Sequence, residues 1–60
     1  MYTVILKRGN LPDMVRKDKD QLSALARVSS LLCLHSIDGY QQNGTTFIVD
    51  ASSYYRRNAK

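Results

Sequence analysis

The chain has one cysteine, one proline, no tryptophan and no glutamate. A lone Cys33 excludes an intrachain disulfide framework and a cysteine-rich zinc site. No segment approaches the roughly 20 apolar residues that span a bilayer, and the opening run Val4-Ile5-Leu6 stops at Lys7-Arg8. No signal-peptide pattern is present. The expected setting is therefore the reduced cytoplasm, with no membrane partner. Glycine is scarce, and neither "KRGN" nor "QNGTT" has the spacing of a phosphate loop. Asp38 and Asp50 stand alone, which is not the pattern of a calcium loop. No metal site and no cofactor are expected.

What is present is a globular composition of 43% hydrophobic and 23% charged residues, too apolar for a disordered chain. Sixty residues make a single domain, residues 1–60. Chains of this size bury only about 60% of their unfolded surface and usually need an extra fastening. With disulfides and zinc removed, association with a second copy or a larger protein remains. Nine Lys and Arg against five Asp give a net charge of +4. The cations cluster at Lys7-Arg8, at Arg16-Lys17-Lys19 and at Arg56-Arg57 with Lys60. Such a balance suits polyanions or acidic protein surfaces, and also plain solubility.

"MYTVILKR" is rich in β-formers and reads as a strand. Gly9-Asn10 and Leu11-Pro12-Asp13 carry turn chemistry. Residues 14–19 fit a loop, a helical turn or a short strand. A helix follows with Asp18 or Asp20 as its N-cap and ends near His35, or at Gly39 acting as C′. Asn43-Gly44 predicts a two-residue hairpin turn, placing Gln42 opposite Thr45, Gln41 opposite Thr46 and Tyr40 opposite Phe47. Residues 52–60 form a basic tail, either a short helical turn or a mobile chain end. The predicted fold is α+β in the order β-α-β-β. One helix packs on a three-stranded, mainly antiparallel sheet, with "TTFIVDA" in the centre.

The helix "QLSALARVSSLLCLH" has more apolar surface than such a sheet can cover. With Leu22 at 0° and about 100° per residue, Leu25, Leu32, Cys33 and Ala26 join it in one stripe, assigned to the sheet. Ala24, Val28 and Leu31 form a second strip, and Leu34 breaks the polar arc. Either the segment 9–17 folds over this second strip with Leu11, Met14 and Val15, or Ala24, Val28, Leu31 and Leu34 face a partner. Exposed apolar patches on small domains mark interaction sites.

Catalytic chemistry is not legible. Cys33 and His35 lie two apart on a helix and point about 200° away from each other. His35, Asp50 and Ser52 or Ser53 lack a nucleophile-elbow context. The expectation is a non-enzymatic protein-binding module, a regulator or inhibitor of a larger protein, acting as a homodimer. Its small, single-domain build resembles compact accessory proteins of phages and mobile elements in style alone. The alternative is a nucleic-acid-binding protein. It would use Lys7, Arg8, Arg16, Lys17, Lys19, Arg56 and Arg57 against phosphates and Tyr54 and Tyr55 for stacking.

Overall fold

The computed structural model describes residues 1–58. The elements are β1 (Tyr2–Arg8), β2 (Leu11–Asp18), α1 (Gln21–His35), β3 (Gln41–Asn43), β4 (Thr46–Asp50) and α2 (Ser52–Asn58). They form one four-stranded sheet in the order β2-β1-β4-β3. The fold is α+β, but the expected three strands and one helix become four strands and two helices.

The difference starts at residues 11–18. Gly9, at φ +66°, closes a tight turn with Asn10, so Leu11 pairs at once with Arg8. The chain then runs back along β1 as an antiparallel strand, with Val15 opposite Ile5 and Tyr2 opposite Asp18. Pro12 is tolerated because β2 is an edge strand. Lys7 faces two residues, Pro12 and Asp13, in a bulge between the Leu6–Met14 and Arg8–Leu11 pairs. This added strand reverses the chain once more before the helix. As a result β4 lies between β1 and β3 as expected, but it runs parallel to β1 rather than antiparallel.

Asp20, not Asp18, caps α1. Its backbone is extended, and its carboxylate accepts the Ser23 N–H at 2.8 Å. Asp18 instead receives the Arg27 guanidinium in a two-pronged bond, with Nε at 2.9 Å and Nη2 at 3.1 Å. The helix stops at Ser36, which takes the left-handed conformation (φ 53°, ψ 48°). Ile37 N–H bonds back to the Leu32 carbonyl at 3.0 Å, closing a Schellman motif. Gly39 plays no part in this cap.

The β3–β4 hairpin forms one residue later than predicted. Asn43 pairs with Thr46 and Gln42 with Phe47, so Gly44 and Thr45 are the loop. Gly44 has φ +62°, and positive φ at the first central residue alone is the pattern of a type II′ turn. Tyr40 still meets Phe47, diagonally and edge to face, with centroids 5.7 Å apart.

Alternation along the strands sends Val4, Leu6, Phe47 and Val49 to one face. Ala24 and Val28 of α1 seal that face, and Ala51 completes the buried core. The predicted tail is ordered through residue 58 as α2; Ala59 and Lys60 lie outside the described residues. His35 ties α2 to α1. A carbonyl only accepts, so Nδ1–H donates to Leu31 O at 2.8 Å, and Nε2 lies 3.2 Å from the Tyr55 hydroxyl, its second hydrogen-bond partner. The Tyr54 ring sits edge-on to His35 at 4.8 Å.

Candidate interaction surface

The two stripes on α1 divide differently from the sequence assignment. Leu25 and Leu32 of the sheet stripe do pack against the core, but Leu22, Ala26 and Cys33 turn outward while Ala24 and Val28 turn inward. Ala24 and Val28, placed on a partner surface, are 0% and 1% exposed, and Leu31 is half-buried against the core. Leu22, placed on the sheet, is 79% exposed, and Ala26 and Cys33 are also exposed. The physical reason is β2. A fourth strand widens the sheet on the Leu31 side, and the Asp18–Arg27 pair joins α1 to β2 at that flank. Met14 of β2 packs against the core. Of the segment 9–17 residues expected to cover the second strip, Met14 alone does so, from within the sheet, while Leu11 and Val15 stay 49% and 48% exposed. Leu34 alone among the four predicted interface residues remains open, at 70% exposed.

The outward face of α1 now carries Leu22, Ala26, Ser29, Ser30, Cys33 and Leu34. It holds no charged side chain. Only Arg27 and His35 along this helix are basic, and none of its residues is acidic. Arg27 is committed to Asp18 at the flank, and His35 is buried. A solvent-facing helix normally carries charged and polar residues there. Leu22, Ala26, Ser29 and Cys33 follow one another at spacings of four, three and four, so they form a straight seam. The sequence already showed the missing charge. What it could not show was which stripe the sheet would take.

The basic residues do not form one surface. Lys7 and Lys17 point to the sheet face away from α1, whereas Arg8 and Arg16 lie on the α1 face. Arg8 sits at the turn end of the β1–β2 hairpin, and Lys17 and Lys19 lie toward its opposite end. Arg8 is held by the Pro12 carbonyl through Nε (3.0 Å) and Nη2 (2.7 Å). It also lies 6.0 Å above the Tyr55 ring. Arg8, Tyr55 and Arg56 share an open cavity of about 430 Å³, so these three are brought together. Arg57 is exposed on α2. Tyr55 has Arg8 and His35 as ring neighbours, and Tyr54 packs on both His35 and Tyr55. Neither ring stands free as a stacking platform.

Asp50 caps the start of α2 by accepting the Ser52 N–H at 2.9 Å. Those Ser52 bonds, aided by nearby Lys7 and Arg56, hold its carboxyl below the ordinary range. Lys7 and Arg56 thus already have an anionic neighbour. The candidate catalytic letters also separate. Cys33 is exposed while His35 is buried with both ring nitrogens occupied. Among the described residues there is no cluster of three metal-ligating side chains, and no helix is long and apolar enough to cross a membrane.

A second surface was not foreseen. The sheet face opposite α1 carries Val15, Ile5 and Ile48 in register across β2, β1 and β4, with neither helix over it. No protein-family model, no curated protein and no solved structure matches this chain.

Proposed function

We propose that the chain is a small, non-enzymatic protein-binding module that regulates or inhibits a larger protein through the outer face of α1. The observation that carries this reading is the absence of charge from that face, with Leu22 and Leu34 standing 79% and 70% in solvent. Burying uncharged side chains costs little desolvation compared with burying ions. A straight seam on a helix already braced by a sheet fits an apolar groove without folding on binding. Arg27, at the flank of this face and paired with Asp18, would belong to the polar rim of such an interface. A reduced cytoplasmic setting belongs to the same reading, since it keeps exposed Cys33 a thiol. So does a homodimer, because so small a domain gains most from association.

The test is capture of partners from lysate, with and without nuclease, by the parent chain, by Leu22→Glu and by the parent labelled at Cys33 with a bulky maleimide. A protein captured by the parent, retained after nuclease and lost with both changes supports the reading. Unchanged capture by Leu22→Glu overturns it. Capture that vanishes with nuclease, together with nucleic-acid affinity falling steeply with salt, would establish the polyanion alternative. The dispersal of Lys7, Arg16, Lys17 and Lys19 over two faces argues against that alternative.

A further inference from the structure

We propose that two copies of the chain join edge to edge through β2, antiparallel about Val15, so that two four-stranded sheets become one. This rests on the homodimer in the preceding reading but not on its α1 face.

β2 is eight residues long and has a strand neighbour on one side only. Half of its backbone N–H and C=O groups therefore face outward, as on any edge strand. The Val15 carbonyl already takes a donor from outside the ladder, Arg16 Nη1 at 3.1 Å. By contrast, the other edge, β3, has only three residues.

The side chains select the occupant. Around a two-fold axis at Val15, each residue faces the residue equally far on the other side of the axis. Val15 meets Val15 of the second copy. Asp13 meets Lys17 of the second copy, and Lys17 meets its Asp13. Val15 and Lys17 lie on the sheet face away from α1 by their pairing with Ile5 and Thr3. Asp13, in the bulge opposite Lys7, follows the alternation from Met14 to that same face, and all three are exposed. Opposite charges directly across strands attract, and like charges repel. A self-pairing strand with two such reciprocal pairs around a valine fits a second copy of itself.

The flanking chemistry agrees. Pro12, which has no N–H to donate, falls at the end of the paired segment opposite Asp18, outside the five residues 13–17. The apolar row Val15–Ile5–Ile48 would meet its own copy at Val15, making one unbroken stripe across six strands. Val15 itself is 48% exposed in the single chain, and a second Val15 would cover it. Two cationic molecules would meet where each offers one carboxylate and one ammonium on the shared face.

The experiment is sedimentation equilibrium of the full chain with charge exchange at two exposed positions. The parent is expected to dimerise at micromolar concentration. Asp13→Lys alone, or Lys17→Asp alone, turns both attractive pairs repulsive and should weaken the dimer roughly 10- to 100-fold. The double exchange Asp13→Lys with Lys17→Asp should restore it. An equimolar mixture of the two single variants should form a heterodimer. Circular dichroism checks that each variant keeps its fold, and the restoring arms exclude simple misfolding as the cause. A parent that stays monomeric at high micromolar concentration overturns the proposal. So does a dimer insensitive to both single exchanges, and so does one abolished by Leu22→Glu with the β2 exchanges silent, which would put the contact on α1.

Discussion

Replacing Val28 with Ala, beside a control replacement of Leu22 with Ala, tests which face of α1 holds the molecule together. Val28 is 1% exposed and Leu22 is 79% exposed. Val28→Ala deletes the equivalent of two buried methylenes, each worth about 0.8 kcal/mol of transfer free energy. The hole left behind adds about 24 cal/mol per Å³ of residual cavity, so a site that collapses only partly adds roughly 1 kcal/mol. Better helix propensity for Ala returns a few tenths, leaving about 2 kcal/mol lost. A 60-residue domain is stable by roughly 3–9 kcal/mol at typical values per residue. At about 8 °C per kcal/mol for so small a domain, Tm should fall by about 15 °C. Leu22→Ala removes a larger side chain, yet an exposed one, and should stay within about 0.5 kcal/mol. The assay is thermal unfolding followed by far-ultraviolet circular dichroism, at one fixed protein concentration because association shifts Tm. A larger drop for Leu22→Ala than for Val28→Ala would refute the packing of α1 described above.

Gly44→Val should cost about 1–3 kcal/mol, since it forces a β-branched residue to a positive φ, and Gly44→Asn should cost less, because Asn enters positive φ more readily than a β-branched residue. Nothing lies within 4 Å of a Cβ at Gly44, so the difference between the two in chemical denaturation reads backbone strain alone. Ser36→Gly should raise stability by roughly 0.5–1 kcal/mol, because the left-handed cap then carries no Cβ, a gain visible in the same melts. The carboxyls of Asp18, Asp20 and Asp50 are all held below the ordinary range, by bonds from Arg27, Ser23 and Ser52 respectively. A depressed folded pKa stabilises above the unfolded pKa and is lost as pH falls through the folded value. Stability should therefore be level from neutral pH down to the ordinary carboxylate range and fall below it. Asp20→Asn should flatten that fall in melts recorded between pH 5 and pH 2.

Local chemistry was legible in the chain itself. β1, the body of α1, its N-terminal cap region and the second hairpin each follow from neighbouring residues: β-branched runs, a 3.6-residue period, Asp20 before the helix, and Gly44 in the turn. The lack of charge on α1 was equally visible. Residues 11–18 were not, because an edge strand with Pro12 and four charged residues has no strong alternation, and only pairing with β1 makes it a strand. From that one missing strand the other differences follow. An added reversal changes β4 from antiparallel to parallel against β1. A wider sheet draws Ala24 and Val28 inward, and Leu22 and Cys33 turn outward.

The site shows the same division. The sequence determined that α1 has two apolar stripes and that something besides a narrow sheet must cover one of them. Tertiary structure alone decided which stripe is buried, because helix rotation depends on what lies beneath it, and Asp18 and Arg27 meet only once β2 is in place. Likewise, Tyr54-Tyr55-Arg56-Arg57 looks like a free basic tail in sequence. In the fold His35, far away along the chain, captures both tyrosine rings. Asp13 and Lys17 look like ordinary surface charges until β2 becomes an edge, and then their spacing about Val15 acquires a geometric meaning. Periodicity and capping act within a few residues and can be read along the chain. Strand pairing, helix rotation and edge exposure depend on contacts between distant segments, which the sequence carries only in combination.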